Sequence, residues 1–383
     1  MNKYLLTEDE LAIQELAKQF ADEVVAATVT ELDKKHAFPM DEVKQCGEMG
    51  FMGICVPEAY GGSGMSHLCD ILVMEQIARH SSSLASIIDA HASLGSSPLL
   101  LAGTEEQKQK YLVPAATGEA LCAFALTEPQ SGSDAGQILT RAVLDDDEWV
   151  INGNKAFITN STYASTFLVA AKTDMEAKGS RGISIFIVPA GTPGLEVGKP
   201  EEKMSNRSSY SCPLTFTDVR IPKENLLGEL NRGFPLFMKC VDAGRVAISA
   251  VAVGMAQGVL ERAAKYSKER VTFGKPICEN QSIAFKLAEM ATEIEVSRAM
   301  LYNTARMVDA GIPFSTEATM TKMFCSEMCI RVCDKGLQIM GGYGLCDEYQ
   351  VERMYRDAKL LTIGEGTSEI CRMVIGRAVL KEY

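Results

Sequence analysis

The sequence reads as a mostly helical chain with a β domain in its middle, and three observations carry that reading. Residues 1 to about 120 place apolar side chains at helical spacing. Residues from 121 to about 230 change to short β-rich runs separated by turn residues. Residues 231 to 383 return to long helical patterns. The expected organisation is an N-terminal helical domain (1–120), a small antiparallel β domain (121–230) and a C-terminal antiparallel helical bundle (231–383).

The elements follow in order. Thr7 and Glu10 form a T-x-x-E capping box ahead of an apolar run. Ile13, Leu16, Ala17, Phe20 and Val24 then share one helical face. The glycine-rich stretch PEAYGGSGM (57–65) breaks the region, and GTEEQKQKYL (103–112) reads as a capped, exposed helix start. In the middle, Trp149-Val150-Ile151 leads into Asn152-Gly153, the strongest short hairpin-turn signal because both central positions need positive φ. Residues 166–171, 183–188 and 214–217 are strands. Three or four helices of about 20–30 residues fit the last region, between breaks at 271–280, 310–314 and 341–347.

Composition narrows the function classes. With 46% apolar and 23% charged residues, the 383-residue chain is neither disordered nor fibrous. Lys plus Arg is 38 against 50 Asp plus Glu, a formal charge of -12, which argues against nucleic acid as a partner. No apolar run of about 20 residues is present to span a membrane. The start, MNKYLLTEDELAIQE, lacks the apolar stretch of a secretory signal and is too acidic for a transit peptide. The 12 cysteines are scattered without a C-x-x-C, and only four histidines occur, so no metal site is expected. Cys325, Cys329 and Cys333 repeat at i, i+4 and i+8. They read as a buried stripe of small side chains, with a reactive or metal-binding group as the lesser alternative. Many free thiols fit a reducing cytoplasm.

No phosphate-binding G-x-x-x-x-G-K-[ST] occurs. Gly364-Glu365-Gly366 imitates the opening of G-x-G-x-x-G, but Glu369 stands at the third glycine and too little chain remains for a βαβ unit of about 30 residues. A dinucleotide-binding βαβ fold is therefore excluded, and any redox cofactor is held another way.

Ten segments, in order, resemble the acyl-CoA dehydrogenase family: PEAYGGSG (57–64), GTEEQKQKYL (103–112), FALTEPQSGSD (124–134), NGNKAFITN (152–160), DVRIPKENLLG (218–228), DAGR (242–245), RVTFGKPI (270–277), QIMGGYG (338–344), VERMYRDAK (351–359) and IGEGTSEI (363–370). The resemblance spans essentially the whole chain. It implies an N-terminal helical domain, a middle β domain and a C-terminal four-helix bundle. It also implies FAD as cofactor, an acyl-CoA substrate and a homotetramer built as a dimer of dimers. The implied reaction removes hydrogens across Cα–Cβ of the thioester, or adds them in reverse. Electrons pass to or from an electron-transferring flavoprotein; an oxygen-reactive, oxidase-type flavoenzyme is the alternative.

That chemistry asks for a base beside Cα, exclusion of water and fixed donors at the developing enolate oxygen. The resemblance assigns the base to Glu365, flanked by Gly364 and Gly366, with Gly366 at the substrate. In other family members the base sits on a bundle helix, at the position that here is Gly244, which cannot serve. Phe124, Leu126, Thr127, Gly132 and Ser133 resemble the loop along the flavin's pyrimidine side, with Ser133 also touching the CoA arm. Phe157, Ile158 and Thr159 resemble the segment at the isoalloxazine and its N5. Arg270, Thr272, Gln281, Gln338, Gly341 and Gly342 match positions for the FAD pyrophosphate and adenosine, some of them serving a neighbouring subunit. Thr367 and Glu369 open the last helix and touch FAD, and Asp242 and Arg245 contact CoA, Arg245 alternatively being structural. Two departures stand out. Gly364 replaces the family's frequent tyrosine, which widens the acyl pocket unless another side chain fills it, and Gln130-Ser131 replaces a smaller pair.

Overall fold

The computed structural model describes residues 4–383. Its helices before the sheet are α1 (Glu8–Phe20), α2 (Ala26–Lys35), α3 (Met40–Glu48), α4 (His67–Ala78), α5 (Ser82–Asp89), α6 (Ser97–Ala102), α7 (Glu105–Gln107) and α8 (Val113–Ala116). The capping box at α1 is formed: Thr7 N donates to Glu10 Oε2 at 2.9 Å and Glu10 N to Thr7 Oγ1 at 3.2 Å. Arg306 then meets the same carboxylate with both guanidinium arms, at 2.6 and 2.8 Å, so the cap also ties the first helix to the C-terminal bundle. Ala17 and Phe20 of the expected apolar face are buried. Leu16 instead points outward at 40% exposure, at the edge of that face. A second capping box, Thr104 with Gln107, opens α7.

The β domain holds β1 (Leu121–Ala125), β2 (Arg141–Asp145), β3 (Glu148–Thr159), β4 (Ala164–Lys172), β5 (Ile183–Pro189), β6 (Leu195–Val197), β7 (Ser211–Pro222) and β8 (Leu226–Leu227). The sheet order is β6-β7-β3-β2-β4-β5-β8, with β1 also against β4. Most pairings are antiparallel, as expected, but β1 and β2 each run parallel to β4, so the sheet is mixed. The expected hairpin turn at Asn152-Gly153 is corrected. That dipeptide lies inside β3, where the register slips against β7, and the turn falls at Asp146-Asp147 between β2 and β3. Gly153 (φ 149°) is there because a Cβ would stand 2.5 Å from Thr140 Oγ1. A glycine in a strand serves a bulge or a close approach as readily as a turn, and pairing partners decide which.

The C-terminal region is α9 (Gly233–Glu269), the short pair β9 (Val271–Thr272) and β10 (Lys275–Pro276), then α10 (Gln281–Asp309), α11 (Ser315–Met340), α12 (Val351–Leu361) and α13 (Ser368–Glu382). One apolar core runs through the N-terminal helices and the bundle, from Phe20 and Leu72 to Val251 and Cys329. A second joins the sheet to the helices through Leu168, Ile185, Leu99 and Phe237. Phe237 lies in the first turns of α9, so that helix starts where the sheet meets both helical layers. Cys325, Cys329 and Cys333 are fully buried on α11, and every cysteine is a free thiol. Among the described residues no helix is long and apolar enough to cross a membrane.

Candidate functional site

The site is assembled around the turn between α12 and α13. Ile363 N and Gly364 N both bond back to Leu360 O, which closes α12. Glu365 then takes a left-handed φ of 54° and Gly366 a φ of 99°, and Thr367 caps α13 by accepting from Ile370 N at 3.3 Å. A non-glycine residue at positive φ persists only where its surroundings fix it. Two buried cations do so here: Arg245 Nε donates to Glu365 O at 3.2 Å and Lys322 Nζ to Gly366 O at 2.6 Å. Arg245 is itself fixed by Asp242 Oδ1 at 2.8 Å and Thr319 Oγ1 at 3.1 Å, which is the structural role. Lys322 has no exposed surface, and burial pulls its ammonium below its ordinary range against the attraction of Cys371 and Glu365.

The Glu365 side chain turns inward. The residue is half-buried, but Oε2 is closed off from solvent and finds no hydrogen-bond donor. The same oxygen stands 2.8 Å from where a Cβ on Gly244 would lie. Any side chain at position 244 would strike the carboxylate, so the glycine leaves room for it. Burial raises the Glu365 carboxyl above its usual range, opposed by a contact with the Asp89 side chain and by the charges of Lys322 and Arg245. Asp89, at the end of α5, is 2% exposed. Burial also lifts the Asp242 carboxyl, with Ser315 and Arg245 partly restoring it.

A cavity of about 780 Å³ lies alongside. It is lined by Asp242 and Ala243, just ahead of Gly244, by Ser93, and by apolar Leu100, Met238 and Ile312. That volume is ordinary for a small-ligand site. Its far wall carries Cys55, His67 and Asp70, whose donor atoms lie within 4.8 Å of one another; burial pushes the Asp70 carboxyl up to about 7. At Gly364 an added Cβ would find only Leu360 O, at 3.7 Å, so a side chain could start there unobstructed.

The two segments of the β domain expected at the flavin are joined to one another. Ala156 N donates to Thr127 O at 2.9 Å. Beneath them Lys155 and Glu128 form a buried ion pair, Nζ to Oε1 at 2.8 Å, and Lys155 also donates to Leu126 O at 3.1 Å. Glu128 further accepts from Leu139 N at 2.6 Å, Thr140 N at 3.0 Å and the Gln130 side chain at 2.6 Å. The departure at Gln130-Ser131 thereby has a role. Gln130 caps the Glu128 carboxylate and Ser131 Oγ donates to Asp134 O at 2.6 Å, stiffening the loop that presents exposed Gly132 and Ser133. Phe124 packs on Phe237 with centroids 4.0 Å apart. Phe157 sits at φ 57° with 63% of its surface exposed, Ile158 is buried, and Thr159 Oγ1 lies 3.3 Å from Ser211 Oγ.

Arg270, Thr272, Gly341 and Gly342 line a separate cleft of about 460 Å³ with Tyr266 and Tyr343. Arg270 stacks 5.6 Å from the Tyr343 ring centre and meets no carboxylate among the described residues, and nothing stands where Cβ atoms on Gly341 and Gly342 would be. An unpaired guanidinium over a bare glycine turn fits a phosphate. Gln281 and Gln338 are not part of that lining, Thr367 is engaged in its cap, and Glu369 is exposed in the first turn of α13. Along α9 the cleft is on the order of 40 Å from Arg245 and Glu365, at about 1.5 Å per residue.

Sequence reasoning did not single out Asp89, Lys322 or the Glu128–Lys155 pair. The only signal was a charged residue set in an otherwise apolar or small-residue run, as Asp89 is in SLASIIDAHASLG and Lys322 is in TMTKMFC.

Three family models match the chain: "Acyl-CoA dehydrogenase, N-terminal domain" over residues 7–119, "middle domain" over 123–219 and "C-terminal domain" over 231–380. The chain is 47% identical to a probable acyl-CoA dehydrogenase of Bacillus subtilis, over 98% of this chain and 99% of that protein. It is 44% identical, over 98% and 99%, to a caffeyl-CoA reductase–Etf complex subunit of Acetobacterium woodii. The solved butyryl-CoA dehydrogenase of Megasphaera elsdenii superposes with a TM-score of 0.96 at 42% identity, covering 98% of this chain and 99% of that one.

Proposed function

This chain belongs to the acyl-CoA dehydrogenase family, and on that premise we propose that it interconverts a saturated acyl-CoA and its trans-2-enoyl-CoA with Glu365 as the base at Cα. Membership makes it an FAD-dependent oxidoreductase. The observation that carries the reading is Glu365 Oε2: closed to water, without a hydrogen-bond donor, and 2.8 Å from where a Cβ on Gly244 would lie.

Each part of the chain has a task in this reaction. Arg245 and Lys322 hold the Glu365 turn by its carbonyls, so the base is fixed while its side chain stays free to take a proton. Burial sets its pKa above that of an ordinary carboxylate, nearer to what a proton acceptor at neutral pH needs. Leu100, Met238 and Ile312 give the neighbouring cavity an apolar lining for an acyl chain, and Asp242 offers a polar group to the CoA arm. The Glu365 N–H can meet the thioester oxygen. Residues 124–133 and 157–159 would hold the flavin ring of FAD, which when bound accepts the β-hydrogen as hydride. Gly364 carries no side chain beside the base, which suits a bulkier acyl group, branched or aromatic.

Arg270, Thr272, Gly341 and Gly342 would hold the FAD pyrophosphate. A cleft about 40 Å from the base along α9 is too far for one FAD to touch both. That separation supports a homotetramer in which each adenosine cleft serves a neighbour's flavin. Arg270→Ala is therefore expected to lose FAD and subunit association together, read by flavin absorbance across a size-exclusion run. A mutant tetramer that keeps its flavin would refute this role.

An electron-transferring flavoprotein is the proposed redox partner, in keeping with the Acetobacterium relative being a subunit of an Etf complex. The free thiols support a cytoplasmic location. The whole reading is tested by anaerobic titration with butyryl-, isovaleryl- and 3-arylpropionyl-CoA, following flavin absorbance. At least one bulky thioester should bleach the flavin as readily as butyryl-CoA does. No bleaching by any of them, in a yellow protein, would sink the function, and peroxide formed under air would favour an oxidase.

A further inference from the structure

The carboxyl group of the proposed base meets a second, buried one, and no motif accounts for that second group. Asp89 reaches the Glu365 side chain from the end of α5 and also contacts Ser93. Asp89 Oδ1 and Glu365 Oε2 are both sealed from solvent, and neither is given a hydrogen by any N–H or hydroxyl. Two ionised carboxylates in that position would repel one another without water to screen them. One proton between them removes the repulsion and gives each an otherwise missing partner. We propose that Asp89 is a positioning residue for the base: it keeps that proton and donates it as a hydrogen bond to the Glu365 carboxylate, holding the side chain against Gly244. This rests on Glu365 being the base.

The surroundings say which partner keeps the proton. Glu365 is faced by two cations, Lys322 and Arg245, the latter already paired with Asp242. The strongest influences on Asp89 from the described residues are Glu365, the Ser93 hydroxyl and, farther off, Asp70, with no cation among them. Burial, then the neighbouring Glu365 charge, pushes the Asp89 carboxyl far above its ordinary range. Negative charge therefore settles on Glu365 and the proton on Asp89. The pair titrates as a unit, and the first proton lost comes from Glu365. The hydrogen bond stabilises the charged base, so Glu365 stays ionised to a lower pH than it would alone. At the pH where catalysis runs, the device supplies an active base while keeping it in a dry pocket.

The test is the acid limb of the pH profile for anaerobic flavin bleaching, in holoenzyme carrying Asp89→Val, Asp89→Asn or Glu365→Gln. Asp89→Val removes the donor at nearly constant bulk, and the limb should move up by about one pH unit, since a hydrogen bond to a charged group is worth roughly that much. Asp89→Asn restores an N–H donor and should return the limb to its original place. Infrared difference spectra give a readout independent of turnover: a buried protonated-carboxyl band should be lost from the wild type on Asp89→Asn, over the constant contribution of groups such as Asp70, and kept in Glu365→Gln. An unmoved limb in Asp89→Val, with Glu365→Gln inactive, would overturn the role of Asp89 and leave the base standing. Full bleaching by Glu365→Gln would overturn the base itself. Should Asp89→Val fail to fold, the difference band decides: its loss in Glu365→Gln, or no band lost between wild type and Asp89→Asn, overturns the proposal.

Discussion

Replacing Glu365 by Gln is expected to leave a yellow, correctly folded enzyme whose flavin is bleached by acyl-CoA about 10³–10⁴-fold more slowly. That is the upper range for a positioned general base, about 4–5 kcal/mol of barrier at 1.36 kcal/mol per decade. Gln has the bulk of Glu, so it fits against Gly244, and the turn is held through its main chain by Arg245 and Lys322, which the substitution leaves untouched. FAD retention and thermal stability should therefore change little while proton abstraction fails. The measurement is anaerobic stopped-flow at 450 nm-type flavin absorbance with the best thioester from the titration panel. A rate within tenfold of the wild type would mean that the α-proton leaves to another group.

Breaking the Glu128–Lys155 pair should have the largest effect on stability. Both side chains are buried, and burial brings the Lys155 ammonium down to about 8 although Glu128 pulls the other way. Burial likewise disfavours the Glu128 charge, but Lys155 and the Leu139 N–H outweigh it and keep the carboxyl below its usual range. Lys155→Met strands an ionised carboxylate in the β domain and should cost about 3 kcal/mol. Three donors to Glu128 survive, which places the cost at the low end of that class. Because loop 124–133 is built on this carboxylate, FAD should be released at lower temperature as well. The double variant Glu128→Gln/Lys155→Met should recover part of the loss, since no lone charge remains. Thermal unfolding followed by both circular dichroism and flavin fluorescence reads both effects. A single variant as stable as the wild type would show the pair to be a bystander.

How far the sequence could be read depended on the range of the interaction. The capping box at Thr7 and the capped helix start in 103–112 were legible because two residues three apart satisfy each other's backbone. The strands at 164–172 and 183–189 were legible from alternating and β-branched runs, and the cysteine stripe from its helical spacing. Asn152-Gly153 misled because the same dipeptide suits a turn and a bulge, and the choice belongs to β7, far along the chain. The parallel contacts of β1 and β2 with β4 were hidden for the same reason. Glu365 was legible only through its motif. Asp89 and Lys322 carry no motif, and they reach the site from α5 and α11.

From its order of residues alone this chain determined its helix starts, its change from helix to sheet and back, and the motif that carries Glu365. All of these rest on contacts between near neighbours or on a short motif. Only the folded molecule decided the environment of that carboxylate: a glycine wall from α9, two cations clamping its turn, and a second carboxyl sharing its proton. Desolvation and charge act through space across distances of a few ångströms, and residues so close in space can be hundreds of positions apart along the backbone.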